Sequence, residues 1–313
     1  AEAREETLRM LDVYTDFAIN EAAVPVIPGR KSETEKFAGA VESYTIEAMM
    51  GDTRALQSGT SHFLGQNFAK AFDIQYLDTS NTLQYCWTTS WGLSTRFIGA
   101  IIMTHGDDQG LVMPPRLAPL QVVIVPIYRS DEERAKVMPV ADQVFQALKG
   151  FRVKLDDRTE VTPGFKFNDW ELRGVPLRIE IGPRDVEKGV VTAARRDIPG
   201  KAGKTALPIE GLAAQVDELL KTIQSALLER ATAFRDAHIS EPADYDGLKE
   251  AVKDGWVYVW WCGSKECEAK IKEDTRATTR CIPMNQPGGT GRCIHCGGRS
   301  EEHTSELQSR PHL

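Results

Sequence analysis

Over the first twenty-two positions the apolar residues Leu8, Leu11, Val13, Tyr14, Phe17 and Ala18 recur at helical spacing, which predicts a helix over Glu2–Ala22. Val24–Pro28 follows as a short strand broken by prolines, then Ser43–Met49 as a strand leading into Ala55–Gln57. Too few residues separate Phe37 from Gln57 for an inserted domain. Two more strand-like runs, Phe72–Leu77 and Leu83–Thr89, flank the turn residues Asp78–Asn81 and suggest antiparallel sheet. Arg96–Met103 opens on a charge and continues apolar, a buried helix after a strand. Three prolines within Met113–Pro119 exclude a regular helix and mark the expected domain boundary.

Beyond that boundary strand and helix alternate. Val122–Ile127, a helix over Asp131–Lys149, Arg152–Leu155, a short helix near Phe167–Leu172 and Pro176–Ile181 predict an α/β layer, followed by a hairpin around Gly189–Arg196. Ile209–Ala237 carries Leu212, Val216, Leu219, Leu220, Ile223, Leu227 and Leu228 on one stripe and reads as a long linking helix. Tyr245–Lys253 is then a helix, and Trp256–Trp261 a strand ending at Cys262. The expected fold class is α/β: an α+β part with antiparallel sheet over 1–119, an α/β domain over 120–232 and a small cysteine-bearing domain over 233–298. Residues 299–313 lack core periodicity and read as the in-frame translation of a sequencing adapter.

Composition changes this picture in three places. The 313 residues suffice for two or three domains, and 41% hydrophobic with 27% charged is ordinary for a globular chain. No apolar run approaches the roughly 18 residues of a spanning helix, and no secretory signal opens the chain, so no membrane partner and a cytoplasmic location are expected. The net charge of −7 is uneven: Phe151–Lys204 holds 12 Lys/Arg against 9 Asp/Glu. A basic segment in an acidic protein fits either a bounded RNA footprint or an unevenly charged solvated surface.

The chemistry concentrates in two strings. Gln57-Ser58-Gly59-Thr60-Ser61-His62-Phe63-Leu64-Gly65-Gln66 and Thr89-Ser90-Trp91-Gly92-Leu93-Ser94-Thr95-Arg96 set hydroxyls, an imidazole and a guanidinium among glycines, which lets backbone approach a small ligand. Arg96 falls in the first turn of a predicted helix, where N–H groups and the dipole already favour an anion such as phosphate. His62 fits three readings: a general base, a carboxylate partner or a capped core histidine. Gly29-Arg30-Lys31-Ser32 is not a phosphate-binding P-loop, which needs a glycine five residues before its Gly-Lys pair. Cys262-x4-Cys267 and Cys293-x2-Cys296, with Gly263 and Gly297-Gly298 beside them, point to a closed tetrahedral structural zinc site. Cys281 and His295 are possible substitute ligands.

The string Ser90–Gly99 resembles motif 3 of class II aminoacyl-tRNA synthetases, and Gly59–Phe68 resembles the substrate loop of the prolyl-tRNA synthetase family. Pro163–Gly174 and the terminal cysteines continue the likeness over about residues 1–298. The short Phe37–Gln57 interval resembles the archaeal and eukaryotic type, and motifs 1 and 2 are expected to precede Ala1, which implies an inactive fragment of a homodimeric parent. The resemblance implies ATP with Mg2+, L-proline and tRNA(Pro) as partners. It assigns Gln57, Thr60, Ser94 and Arg96 to ATP, with Arg96 catalytic, and His62 and Trp91 to proline. Activation needs positioning and charge neutralisation more than proton transfer.

For the anticodon, the resemblance implies single-stranded bases splayed onto aromatic or guanidinium planes. Phe165, Lys166, Phe167, Trp170, Glu171, Arg173, Arg184 and Asp185 supply such groups. Lys166, Glu171, Arg173, Arg184 and Asp185 are the candidates, and the three aromatics are expected in the core. Two rivals are a non-catalytic RNA-binding module and a threonyl-tRNA synthetase. The latter holds its amino acid on a catalytic zinc, and Cys86 is the only cysteine before the boundary.

Overall fold

The computed structural model describes residues 1–286, 288–300 and 303–309. The chain forms two compact bodies. One comprises Ala1–Asn20, Val24–Ala100 and the described residues from Thr232 onward; the other comprises Glu21–Ala23 and Ile101–Ala231. No boundary falls at 113–119, and the C-terminal segment packs with the N-terminal one, not as a body of its own.

In the first body, α1 (Glu2–Asp16) runs into a π-helical turn at Phe17–Glu21. Strands β1 (Val26–Arg30), β2 (Glu42–Met49) and β3 (Ala55–Gly65) follow, then α2 (Asn67–Ala71), β4 (Gln75–Leu77), β5 (Leu83–Tyr85), β6 (Thr88–Gly92) and α3 (Arg96–His105). The expected substrate loop is an eleven-residue strand. Its glycines had suggested irregular backbone, but β2 and β6 pair with it on both sides. The β4–β5 hairpin stands apart from this sheet, pairing only with itself. Leu11 and Ala18 are buried as their spacing predicts, but Val13 is 49% exposed, so the apolar face is narrower than it reads in sequence.

α1 lies against one face of the sheet, where Ser61 Oγ donates to the Thr7 carbonyl at 2.7 Å. Gly59 faces the same way: a Cβ there would sit 3.3 Å from Ile46 and 3.5 Å from Tyr14. Register then fixes the opposite face. Ser43, His62 and Ser90 stand in one row, and Thr45, Thr60 and Gly92 in the next.

The second body has β7 (Val122–Pro126) at its centre, parallel to β8 (Val153–Leu155) and to β9 (Leu177–Ile181), with antiparallel β10 (Val190–Arg195) and β11 (Lys204–Pro208) beyond. A fully buried Val-Val-Ile-Val run suits a strand covered on both faces. One face packs Val122, Ile124, Leu177, Ile179 and Ile181 against α4 (Asp131–Ala147) and α7 (Leu212–Ala237). Each such side chain contributes roughly 1.5–3 kcal/mol. The other face packs Val123, Val125 and Val175 against Trp170 of α5 (Pro163–Leu172). α5 begins four residues earlier than its apolar pattern shows, because Thr162 caps it and Pro163 takes its first turn. The six-residue α6 (Pro183–Lys188), too short to show a period, completes this body.

Back in the first body, α8 (Tyr245–Ala251) and α9 (Lys265–Thr275) pack with β12 (Ile239–Ser240), β13 (Trp256–Trp260) and β14 (Ala277–Thr279). β15 (Ile282–Pro283) adds to the free edge of β1, with Gly29 opposite Pro283. The β1 position must be glycine, because a Cβ would lie 2.5 Å from Cys281 Sγ. β16 (Gly291–Arg292) pairs with β17 (Arg299–Ser300). β18 (His303–Ser309) pairs with β13 and β14. The stretch 299–313, expected to be foreign, lies partly outside the described residues.

Candidate functional site

Gln57, Ser58, Gly59, Thr60, Gly92, Leu93, Ser94 and Arg96 line one cleft of about 340 Å³. All four expected ATP contacts therefore meet in it, two from β3 and two from the turn that carries β6 into α3. The turn is closed by Phe97 N–H donating to the Ser94 carbonyl at 3.0 Å, and Arg96 N–H reaches Ser94 Oγ at 3.3 Å. Arg96 starts a ten-residue helix and its Nη1 donates to the Gln57 carbonyl at 3.3 Å. One guanidinium nitrogen is thus tethered to β3. The cleft can take an anion with hydroxyl, amide and cationic donors, the set that phosphate oxygens need.

His62 lies two residues along β3 from Thr60, on the same face of the sheet. Its Nδ1 is 2.8 Å from Ser43 Oγ, its ring centroid is 5.0 Å from that of Phe37, and partial burial lowers its pKa below the ordinary imidazole value. A neutral imidazole at the edge of an anion cleft suits a ligand contact better than a charge pair. Trp91 does not join it. It stands opposite Ser61 in the β3–β6 register, so its side chain belongs to the α1 face, where it is 48% exposed. A one-residue step along a strand reverses the face.

Sequence reasoning missed a second feature of this sheet. Glu47, fully buried on β2 opposite Gln57, accepts from Lys31 Nζ at 2.7 Å, Arg280 Nη2 at 2.7 Å and Thr45 Oγ1 at 2.9 Å. Burial alone would raise its pKa, but the two cations more than offset that and hold it below the usual carboxylate range. Nothing local in the sequence announces a pair between residues 47 and 280.

The sulfurs of Cys262, Cys267, Cys293 and Cys296 all lie within 4.8 Å of one another. Cys262 Sγ is 3.6 Å from Cys267 Sγ and 3.8 Å from Cys296 Sγ. A tetrahedron with Zn–S bonds of about 2.3 Å has edges of about 3.8 Å, so the cluster fits a structural zinc. Gly263 (φ 77°) and Gly297 (φ 69°) take the left-handed conformations that bend each pair around a centre. Burial pushes the Cys267 thiol up to about 12. Burial opposes ionisation of Cys293 as well, yet backbone N–H donors around it, including that of Cys296, bring it down to about 7. Neither possible substitute is part of the cluster: Cys281 is buried with Ile27, Met49 and Trp256, and His295 packs edge-on against Tyr245.

The anticodon candidates divide. Lys166 is 3% exposed and its Nζ donates to the Asp156 carbonyl at 3.0 Å, an internal strut and not a surface group. Asp185 caps α6, accepting from Gly182 N–H at 2.8 Å. Glu171 pairs with Arg178 at 2.8 Å. Arg173 and Arg184 are exposed, Arg173 lying 5.2 Å from the Trp170 ring centroid. Of the aromatics, Trp170 is buried as expected, but Phe165 is 54% exposed. Arg178 and Lys204, 4.1 and 5.6 Å from the Phe167 ring centroid, form a cationic group that the sequence reading omitted.

A family model described as "Prolyl-tRNA synthetase, C-terminal" matches residues 245–305, and one described as "Anticodon binding domain" matches 121–224. The chain is 59% identical over 303 residues to "Proline--tRNA ligase" of Chloroflexus aurantiacus, covering 96% of this chain and 63% of that protein. It is 52% identical over 307 residues to "Proline--tRNA ligase, chloroplastic/mitochondrial" of Arabidopsis thaliana, covering 96% and 56%. The crystal structure of prolyl-tRNA synthetase from Cryptosporidium parvum complexed with L-proline and AMP superimposes with a TM-score of 0.90 at 38% identity, covering 99% of this chain and 67% of that one. The chain thus spans under two thirds of the length of these curated relatives.

Proposed function

The chain belongs to the prolyl-tRNA synthetase family, of the archaeal and eukaryotic-like type that carries the C-terminal domain, and from that premise we propose that its protein charges tRNA(Pro). L-proline's carboxylate attacks the α-phosphate of ATP, pyrophosphate leaves, and the prolyl group of the adenylate passes to tRNA. The carrying observation is that Gln57, Thr60, Ser94 and Arg96 line one cleft while His62 stands on the same sheet face.

In this reading Arg96 neutralises phosphate charge, being already tethered by the Gln57 carbonyl. Thr60, Ser94 and Gln57 bind and orient the nucleotide, and His62 contacts the amino acid. Mg2+ is proposed to bridge the phosphates, and Zn2+ to hold the four cysteines as a fixed structural centre. Arg173 and Arg184 are the proposed contacts to tRNA. No helix among the described residues is long and apolar enough to cross a membrane. The cytoplasm is the proposed compartment and a homodimer the proposed assembly, checked by sedimentation velocity.

The decisive experiment is ATP–pyrophosphate exchange by the protein at the full length of its relatives, freed of host synthetase. Exchange that requires proline, and for which His62→Ala raises the KM for proline more than that for ATP, supports the reading. Exchange driven by threonine, or none at all, overturns it.

A further inference from the structure

The loop between β1 and β2 brings Phe37 over His62. The Phe37 ring lies 5.0 Å from the imidazole centroid and 6.2 Å from Phe68, yet remains 49% exposed. Its backbone N–H donates to Ser43 Oγ at 3.0 Å, and the same oxygen is 2.8 Å from His62 Nδ1. Ser43 is 1% exposed. One buried hydroxyl therefore serves both the loop and the histidine.

The loop is fixed beyond this point too. Ser32 Oγ donates to Glu268 Oε1 at 2.8 Å, and Thr34 Oγ1 bonds the other carboxylate oxygen of Glu268. Asn67 Nδ2 donates to the Gly39 carbonyl at 2.9 Å, and Gly39 takes φ +90° with the Phe68 ring against it. A residue with half its ring exposed and its backbone tied at both ends is held for contact, since folding alone gains little from exposed apolar surface.

Hydrogen-bond logic sets the histidine. The Phe37 N–H occupies a lone pair of Ser43 Oγ, which leaves the hydroxyl hydrogen for His62 Nδ1. The imidazole is then the Nε2–H tautomer, and among the described residues no protein acceptor lies on Nε2. Resting on the reading that His62 meets the amino acid, we propose that Ser43 is a positioning residue that presents His62 as an Nε2–H donor, and that Phe37 is the apolar wall selecting a compact ring substituent. The donor faces a carboxylate-bearing ligand without a charge of its own. The Phe37 ring supplies the flat apolar contact that a saturated five-membered ring fills and a methyl group does not.

Two measurements test this. In the chain as it stands, a long-range proton–nitrogen correlation of the His62 ring, assigned by comparison with His62→Gln, is expected to show a protonated Nε2. In Ser43→Ala the tautomers are expected to mix, while Ser43→Thr keeps the pattern. A protonated Nδ1 in the unsubstituted chain, or no change in Ser43→Ala, overturns the role of Ser43. In pyrophosphate exchange at the relatives' full length, Phe37→Ala and the milder Phe37→Leu are expected to raise the KM for proline about tenfold and threefold. The KM for ATP is expected to stay within about twofold, and the preference for proline over alanine to fall about tenfold for Phe37→Ala. Equal shifts for ATP and proline, or an unchanged preference, overturn the role of Phe37. Absence of proline-dependent exchange by the unsubstituted protein instead overturns the underlying reading, and this inference with it.

Discussion

Arg280 and Glu47 are 233 residues apart in sequence, and Arg280 Nη2 lies 2.7 Å from Glu47 Oε2. The carboxylate is fully buried and its other oxygen is taken by Lys31 Nζ, so the C-terminal segment is joined to the strand that faces Gln57. Removing one partner of a buried ion pair leaves an uncompensated charge and costs about 3–5 kcal/mol. Arg280→Met is expected to fall at the low end, since Lys31 remains. Urea unfolding followed by tryptophan fluorescence measures it, and a loss under about 0.5 kcal/mol would show that the pair holds nothing together.

Asp156 gives the second body an acid sensitivity of its own. Burial opposes its ionisation, but Arg158, the Trp170 indole N–H at 2.7 Å and Lys166 more than offset this, and its pKa falls to about 2. The unfolded value is about 3.9, so this stabilisation is complete above that pH and is lost as pH falls through about 2. Asp156→Asn should therefore lower stability at neutral pH and flatten the decline between about pH 4 and pH 2. Hydrogen exchange of the β7 amides across that range reads the effect within the intact chain. An unchanged acid slope would count against the assignment.

The parts of this fold legible in the sequence are those written as local period. α4, α7, β7 and β9 read directly, because Val122, Ile124, Val137 and Leu220 repeat at the spacing of the face they bury. β3 did not, since its glycines suggest a loop and only the paired strands make it a strand. α6 and α9 are too short or too polar to show a stripe. In the site, Gln57, Thr60, Ser94 and Arg96 were found through likeness to a family, and their convergence needs the β3–β6 register. Trp91 was misplaced for the same reason, because a face is a property of register and not of residue type. Ser43, Phe37 and Glu47 act through partners that no local spacing announces.

The cysteine cluster predicts a metal content. The purified chain is expected to carry about one zinc, with Cys262→Ser and Cys296→Ser losing it and Cys281→Ser keeping it. Cys281 lies against Gly29 in a core with Trp256, so its substitution should cost stability and not metal. Elemental analysis beside a thermal melt separates the two outcomes. Zinc retained by both ligand variants would dismiss the site.

Arg96 carries the strongest prediction for catalysis. In the protein at its relatives' length, Arg96→Ala should slow adenylate formation by about 10²–10³, the usual cost of removing one transition-state charge contact. Arg96→Lys should recover little, because a single ammonium cannot both keep the Gln57 carbonyl contact and present a planar pair of donors. Single-turnover measurement of adenylate formation checks it, and near-normal rates in Arg96→Ala would remove this residue from the site.

The divided anticodon candidates predict two kinds of defect. Arg173 and Arg184 are exposed, so their replacement by alanine should weaken tRNA binding and leave the melting temperature near its original value. If each meets one phosphate, each substitution should also reduce the slope of log affinity against log salt by about one. Lys166 is enclosed, with its amine on the Asp156 carbonyl, and Lys166→Met should act first on stability of the second body. Filter binding over a salt series, paired with hydrogen exchange, distinguishes them. A large affinity loss in Lys166→Met with unchanged protection would mean that this lysine leaves its buried position to meet RNA, and the division drawn between struts and contacts would have to be reversed.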